Sequence, residues 1–549
     1  MCDSLFPVWR QTVFQSKQSI DIIMELRNFF NTKTLCIAMA VMSMTIVSCS
    51  DNDDKGTVPP PTPPAPEEEY AIEVEEGMTL PGDEFLKVPA VAGDQQIVNA
   101  LKSIDKVTDV KPFEQTTGYD DKTQKAITKT AYYFNYKQDI DHNNPSKGWF
   151  KQQCVLSVAG QDRPTLLHTN GYALADKNRL QNLVPLALES VLDANCLHVE
   201  YRYNGWSLPE GYTNRWNYLS AKQQAADLHA IVTAIKQSGV VGKNSKWLAS
   251  GVSKDGMTTA HYAYFYPNEM DAYVPFCAPF LLDLLDKRPF SYILSKAAYN
   301  GNQEVVDKVK AAYRAYVGNK ELQAECVKIY KTIKPEYASS ADEDIRFFLL
   351  NSLFSNYYSK MSYVPYKKWE YMIPKAGDPA INFYDFIMAD ADTKYKENNL
   401  SGLYSSRRAQ AVTRHDPYDV QACIDLGSYS FVLDWVEDLL SDAEKKYLLK
   451  GYNQTVYGVT YDKGKFISEF LEGMKQSTCH MMFVYGMQDP WTGGQIPDDK
   501  MGKNSRKLII QRPYDESEAG LHNDAISTWS QSERNELFTW LNQLGFATK

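Results

Sequence analysis

The stretch that decides the fold is Gly251-Val252-Ser253-Lys254-Asp255-Gly256, which lies near the middle of the chain. It follows the short apolar run 247–249 and precedes a segment of helical character that begins at Met257. A glycine two residues before a serine, at the corner between a strand and a helix, is typical of a nucleophile elbow. The tight turn leaves the serine hydroxyl open, and the partial positive charge of the following helix stabilises an oxyanion. The stretch therefore predicts that Ser253 is a nucleophile.

The stretch departs from the full G-x-S-x-G pattern at its last position. Asp255 stands where the pattern has glycine, and Gly256 follows one residue later. An ordinary Ser-Gly turn is therefore the alternative interpretation. The strand before the serine and the helix after it favour the elbow, because they are the context that the motif requires.

The composition is that of a folded protein, with 44% hydrophobic and 23% charged residues in 549. This length allows a large core and an inserted segment. The net charge is −10 and no basic tract is present. Nucleic acid is excluded as a partner, because phosphate binding requires clustered lysine and arginine.

Residues 1–48 have the pattern of a signal segment rather than of a folded domain. Arg27 and Lys33 precede the apolar run 34–47, which is too short to span a bilayer. We expect translation to start at Met24.

Cys49 follows this run directly and resembles the lipidated cysteine of a bacterial lipobox. Residues 49–70 are first acidic and then proline-rich, which predicts a stiff stalk. We therefore expect an extracytoplasmic protein whose lipid is its only contact with the outer membrane, with exposure at the cell surface as one outcome. A plain secretory signal with an incidental cysteine is the alternative.

The remaining cysteines give no metal-binding spacing, so neither a metal nor a cofactor is expected. Outside the cytoplasm they could pair, but buried thiols are an equal alternative. They are Cys154, Cys196, Cys277, Cys326, Cys423 and Cys479.

Hydrophobic periodicity predicts an α/β fold with a mostly parallel sheet and a large helical cap insertion. The sheet domain spans 71–280, the cap 281–470, and the sheet resumes over 471–549. The predicted strands are 130–134, 153–158, 165–169, 197–203, 247–249, 273–276, 481–485 and 507–510. The predicted helices begin at Ser220, at Met257 and near Ser530, and in the cap they cover 281–299, 305–316, 321–333, 342–358 and 429–449.

A nucleophilic serine needs a base, and the base needs an acid that orients it. In α/β hydrolases the chain order is serine, acid, histidine, with the last two on loops after the final strands. His522 follows the last predicted strand, and Asp489 follows the strand before it. A surface-loop histidine and a turn-forming aspartate are the alternatives, and three other acids are weaker candidates: Asp498, Asp499 and Asp524.

Lys254 adjoins Ser253, which suggests a catalytic Ser-Lys dyad, but neighbouring residues of a helix do not face each other. Its backbone N–H is better suited to an oxyanion hole. The second donor should come from the loop after the third predicted strand, at Gly171 or Tyr172.

Five segments together resemble the secreted bacterial prolyl tri/tetrapeptidyl aminopeptidases, which are related to prolyl carboxypeptidase. The resemblance covers about 75–549 and is carried by 199–203, 251–254, 265–267, 270–271 and 489–491. It implies that Ser253 is the nucleophile, Asp489 the orienting acid and His522 the general base. It also implies peptide substrates with a free N-terminus, with the helical insertion shaping the pocket.

A proline before the cleaved bond lacks an N–H, so a flat aromatic pocket accepts it without leaving a donor unpaired. Trp491 is one candidate wall of such a pocket. The substrate ammonium needs an acid, and Glu200, Asp434 and Glu437 are candidates among which the sequence does not choose.

Two other functions fit parts of the pattern. A carboxylic-ester hydrolase would use the same triad on a different substrate. A non-catalytic surface lipoprotein that binds glycans would explain the stalk and the aromatic content, but not a serine, an acid and a histidine in hydrolase order. The oligomeric state is left open.

Overall fold

The computed structural model describes residues 91–119, 126–174, 187–211, 214–389, 417–449, 455–456, 458–511, 520–522 and 526–548. The signal segment 1–48, Cys49 and the stalk 49–70 lie outside these ranges, so their assignments stay predictions. Among the described residues, no helix combines the length and apolarity needed to cross a membrane.

A nine-stranded sheet forms the centre of the described fold. Its strands are β1 Val107–Tyr119, β2 Ala126–Asp139, β3 Trp149–Ser157, β4 Thr165–Thr169, β5 Asn195–Val199, β6 Trp247–Val252, β7 Ala272–Phe276, β10 Met481–Gly486 and β11 Ser505–Ile510. They lie side by side in the order β1-β2-β3-β5-β4-β6-β7-β10-β11. The last six strands of this order pair in parallel, whereas β2 with β3 and β3 with β5 pair antiparallel. A separate short hairpin joins β8 Thr455–Val456 to β9 Val459–Thr460. The mostly parallel sheet is confirmed.

Helices cover both faces of the sheet, because strands buried on both sides need apolar cover on each. The described helices outside the insertion are α1 Gln95–Lys102, α2 Ala187–Leu192, α3 Ala221–Ser238, α4 Lys254–Phe265, α12 Lys465–Gln476 and α13 Gln531–Gln543. On one face of the sheet lie α3, α4 and α12, and on the other α2 and α13. Ser530 and Glu533 form the expected capping box at the start of α13.

Helices make up most of the regular structure in the described residues between β7 and α12, and these residues have their own apolar core. Its helices are α5 Arg288–Ile293, α6 Gln303–Val317, α7 Lys320–Ile333, α8 Asp342–Tyr363, α9 Ala380–Met388, α10 Pro417–Gln421 and α11 Asp442–Leu448. The predicted helices 305–316, 321–333 and 342–358 are confirmed. The boundaries of the cap at 281 and 470 stay predictions.

Two predicted helices of the insertion, 281–299 and 429–449, are wrong in extent. In both, the α-helix begins several residues after the predicted start, at a point set by hydrogen bonds of a polar side chain. Between 281 and 288 the Asp286 carboxylate accepts from the N–H groups of Leu282 and Arg288, which folds this stretch into a turn. In 429–449 the capping box of Ser441 and Glu444 begins a new helix, and only Asp442–Leu448 is α-helical.

The start of the sheet also differs from the prediction. The strand β1 was not predicted, because 107–119 is rich in polar residues and lacks an alternating apolar pattern. The predicted strand 197–203 begins at Asn195 and ends at Val199, and the chain then bends, with a φ of 63° at Tyr203.

The six cysteines of the described fold are all buried, and none of them forms a disulfide with another described cysteine. Of the two alternatives left open by the sequence, the structure shows buried thiols.

A fully buried ion pair holds the segment after β5 to helix α3. The Arg202 guanidinium donates to both carboxylate oxygens of Asp227 at 2.7 and 2.6 Å, and both side chains have 0% exposure. The same guanidinium donates to the carbonyl oxygens of Ile140 and Tyr218, at 2.9 and 2.8 Å. Every charge is thus compensated within the chain, which is the condition under which a buried pair is tolerated.

Replacing Arg202 with methionine should lower the free energy of unfolding by about 3–5 kcal/mol, because the buried Asp227 carboxylate loses the guanidinium and keeps His142 and Gln152 as its side-chain partners. Urea unfolding of Arg202→Met checks this. Arg163→Met is the matched control, since its pair with Asp193 is half-exposed and worth at most about 1 kcal/mol. Equal losses in the two variants would contradict the expectation.

Candidate active site

Ser253 lies at the corner between β6 and α4 in a conformation that non-glycine residues rarely adopt, with φ 63° and ψ −124°. Its N–H donates to the Phe276 carbonyl at 2.8 Å, and its own carbonyl accepts from Met257 N–H at 2.9 Å. Strain of this kind persists only where surrounding bonds hold it, and it is expected at a nucleophile elbow. The predicted corner is therefore present.

The two glycines of the stretch make this corner possible. A Cβ on Gly251 would lie 2.6 Å from the backbone of Asp255, and a Cβ on Gly256 would lie 2.6 Å from the Phe276 carbonyl oxygen. The close approach to the neighbouring strand thus falls at position 256. This explains how the elbow tolerates Asp255 where the common pattern has glycine.

Asp255 joins the elbow to the loop after β4. Its carboxylate accepts from the Gly171 N–H at 2.6 Å and lies 3.5 Å from His168 Nε2. The Thr169 hydroxyl adds a bond of 2.8 Å to the Asp255 carbonyl. Because the Gly171 N–H is engaged with this carboxylate, the structure gives no support to Gly171 as an oxyanion donor.

The Lys254 ammonium is buried among aromatic rings. It lies 4.4 Å from the ring centre of Tyr172, 4.6 Å from that of Tyr201 and 5.7 Å from that of Tyr418. These are cation–π contacts, which stabilise a desolvated cation. The backbone N–H of Lys254 belongs to the first turn of α4, where amide groups have no partner within the helix.

Asp489 and His522 form a buried pair beyond the carboxyl ends of β10 and β11. His522 Nδ1 lies 2.9 Å from Asp489 Oδ2, and the two side chains are 4% and 0% exposed. An ionised carboxylate only accepts hydrogen bonds, so Nδ1 carries the proton and Nε2 offers its lone pair. This is the tautomer that a general base requires.

Backbone contacts bring the two loops together. The Gly520 carbonyl accepts from the N–H groups of Gln488 and Asp489, at 2.7 and 3.0 Å. A Cβ on Gly486 would lie 2.4 Å from that same oxygen, so the crossing requires glycine there. His522 N–H in turn donates to the Ser362 carbonyl of α8 at 2.9 Å. The helical insertion thus helps to position the histidine.

The elbow and the acid–histidine pair meet at the end of β7. Strands β6 and β10 flank β7, so their carboxyl ends are about 10 Å apart. Cys277 follows β7 directly, and its Sγ lies within 4.8 Å of a carboxylate oxygen of Asp489 and a ring nitrogen of His522. The residue before it, Phe276, accepts the N–H of Ser253. The hydrogen bonds of the described residues include none between the Ser253 hydroxyl and His522.

Two aromatic rings pack near the histidine. The ring centre of Trp491 lies 6.4 Å from that of His522, and the ring of Tyr363 packs edge-on at 5.9 Å. Tyr358 and Tyr429 stack on each other at 4.7 Å and both meet the Trp491 ring nearly at right angles. The sequence pointed to Trp491 alone, because the tyrosines come from the insertion and carry no motif.

The three candidate acids for a substrate ammonium are all committed to other contacts. Glu200 is fully buried, burial raises its pKa to about 7, and its carboxylate accepts from Leu174 N, Trp206 N, Ser207 N and Ser207 Oγ. Asp434 and Glu437 form exposed ion pairs with Lys287 and Lys445. Glu200 thus shapes the loop after β5, and these contacts give no support for a substrate role.

Residues 115–518 match the family described as PS-10 peptidase S37. A prolyl tri/tetrapeptidyl aminopeptidase of Streptomyces mobaraensis is 29% identical over 408 residues, covering 73% of this chain and 76% of its own. The thymus-specific serine protease of Homo sapiens is 26% identical over 28% of this chain and 31% of its own. The solved structure of proline iminopeptidase from Mycobacterium smegmatis covers 75% of this chain and 98% of its own at 10% identity, with a TM-score of 0.33.

The sequence match spans most of the sheet strands and the insertion, and the sheet it covers has the strand order and elbow of an α/β hydrolase. This chain belongs to the PS-10 peptidase S37 family and is a serine peptidase with an α/β-hydrolase fold.

Proposed function

We propose that the protein is an exopeptidase that releases tripeptides or tetrapeptides from free peptide N-termini, with proline before the cleaved bond. The supporting observation is the buried Asp489–His522 pair beside the Ser253 elbow. The substrate class follows the name of the Streptomyces relative, which is similar over 73% of this chain.

In this proposal the Ser253 hydroxyl attacks the carbonyl carbon of the bond to be cut. His522 Nε2 takes the hydroxyl proton and then delivers it to the leaving amine, while Asp489 holds the imidazole in the required tautomer. Water releases the peptide from Ser253 in a second step. The Ser253–His522 hydrogen bond forms on substrate binding, since such bonds often tighten only in the complex.

The oxyanion of each tetrahedral intermediate would be bound by the backbone N–H groups of Lys254 and Tyr172. The Asp255 carboxylate keeps the loop that carries Tyr172 against the elbow. Preorganised donors of this kind stabilise charge that develops only in the transition state.

The Trp491 ring would form the flat apolar face that accepts proline, with Tyr358 and Tyr429 packed nearly perpendicular to it. The distance of 6.4 Å between the Trp491 and His522 ring centres supports this, because the residue before the cleaved bond must lie beside the base. Proline leaves no N–H unpaired in such a pocket.

We also propose that the protein is exported and anchored through a lipid on Cys49. The support is the apolar run followed by that cysteine and by the stalk.

Replacing Ser253 with alanine should abolish labelling by a fluorophosphonate and lower kcat/KM by at least about 10⁴-fold on Ala-Ala-Pro nitroanilide. Ser250→Ala is the matched control, because the Ser250 hydroxyl donates to the Val274 carbonyl within the sheet, at 2.7 Å. Labelling that survives in Ser253→Ala would contradict the assignment.

In the parent protein, acetylation of the substrate N-terminus or replacement of the substrate proline with alanine should lower the rate of cleavage. A preference for a simple aryl ester over the peptide would contradict the proposed substrate class.

Replacing Asp255 with alanine should lower kcat at least about tenfold with little change in KM, because the loop after β4 loses a charge-assisted hydrogen bond. Asp255→Asn keeps an acceptor for the Gly171 N–H and should retain most of the rate. Steady-state kinetics of the two variants check this, and equal rates in both would contradict a positioning role.

Replacing Cys49 with alanine should move the protein from the membrane fraction to the soluble fraction, because the attachment site for lipid is lost. Fractionation of cells expressing the variant measures this. Cys36→Ala is the matched control, since Cys36 lies within the predicted signal. A Cys49→Ala protein that stays in the membrane fraction would contradict the anchor.

A further inference from the structure

The thiol of Cys277 lies beside the acid–histidine pair, and the proposed mechanism gives it no role. One ligand atom of each of Cys277, Asp489 and His522 lies within 4.8 Å of the other two. The three residues are 5%, 0% and 4% exposed. Thiolate, imidazole and carboxylate are the ligands that zinc and related thiophilic divalent ions prefer.

The backbone segments that carry the three ligand side chains are held by hydrogen bonds. Cys277 N–H donates to the Val484 carbonyl of β10 at 2.7 Å, and Cys277 has a φ of 48°. Asp489 and His522 are held by the Gly520 carbonyl and by α8, as described above. Ligand atoms of one tetrahedral zinc site lie about 3.3–3.8 Å apart, as follows from bonds of about 2.0–2.3 Å. Shifts of about 1 Å would therefore bring the three atoms onto one ion.

A second group with the same three ligand types lies elsewhere in the fold and serves as an internal comparison. It consists of Glu189, Cys196 and His198. There the Lys129 ammonium contacts the Glu189 carboxylate, and its positive charge repels a cation. No such lysine contact is present among the described ion pairs of Asp489, whose partner is His522.

We propose that Cys277, Asp489 and His522 bind a thiophilic divalent ion such as Zn²⁺ or Cd²⁺, and that this ion switches the peptidase off. The binding site rests on the geometry of the three side chains. The effect on catalysis rests in addition on the proposed roles of Asp489 and His522.

Inhibition follows from the movement of protons on Cys277 and His522 when the ion binds. On binding, the Cys277 thiol gives up one proton to solvent and becomes the thiolate ligand. The ion takes the place of the proton on His522 Nδ1, and that proton moves to Nε2. Nε2 is then a donor and does not accept the Ser253 proton. Ligation through Nε2 instead would block the base directly, so both modes stop the first step.

Access to the site follows from the proposed chemistry, since a peptide carbonyl and a water molecule must both reach the histidine. A hydrated ion is smaller than the substrate. The position left open by three protein ligands is filled by water, as in zinc sites that retain an exchangeable ligand.

Cadmium binding provides a test that does not depend on activity. The parent protein should show the ultraviolet charge-transfer band of a cadmium–thiolate bond, with a stoichiometry of about one ion per chain. Cys277→Ala should lose the band, whereas Cys196→Ala should keep it. Zinc titration of the nitroanilide assay should show inhibition of the parent, and the half-inhibitory concentration in Cys277→Ala should be at least about tenfold higher.

Three results would overturn the site: no thiolate band in the parent, a band that persists in Cys277→Ala, or a band that is lost in Cys196→Ala. Circular dichroism checks folding, and Cys277→Ser replaces Cys277→Ala if the latter does not fold. Zinc inhibition that is equal in the parent and in Cys277→Ala would overturn the switch. If the parent shows the band but does not cleave the proline nitroanilide, the binding site stands and the proposed substrate class fails.

Discussion

The candidate site depends on one backbone crossing, at which the loops after β10 and β11 touch through the Gly520 carbonyl. That single oxygen accepts the N–H groups of both Gln488 and Asp489. The crossing is possible because Gly486 has no side chain and because Gly520 adopts a φ of 73°. It holds the two loops together next to the contact between the His522 ring and the Asp489 carboxylate.

The insertion contacts both loops that carry the acid–histidine pair. The end of α8 accepts the His522 N–H, and the Gln488 side chain donates to the carbonyl oxygens of Met361 and Val364. The insertion also supplies Tyr358 and Tyr429 beside Trp491. A shift of α8 would therefore move Tyr358 and the carbonyl that holds the His522 N–H together.

The elbow and the acid–histidine pair were predictable because they follow from chain order and from local sequence. Ser253 is marked by its flanking strand, helix and glycines, and Asp489 and His522 by their places after the last strands. The same rule, applied to β7, would have pointed to Cys277. The helices of the insertion were predicted where an apolar stripe was long, and they failed at 281–287 and 429–441, where a single carboxylate or capping box redirected the chain.

The sequence by itself determined the fold class and most strands of the sheet, and it pointed to the three candidate catalytic residues, because these follow from periodicity, local motifs and chain order. Only the tertiary structure decided which partners the polar groups have. It assigned the Gly171 N–H to Asp255, the carboxylate of Glu200 to its own loop and the guanidinium of Arg202 to Asp227. The reason is physical: a buried hydrogen bond depends on which segments meet in space, and residues 84 or 25 positions apart leave no local signal of that meeting.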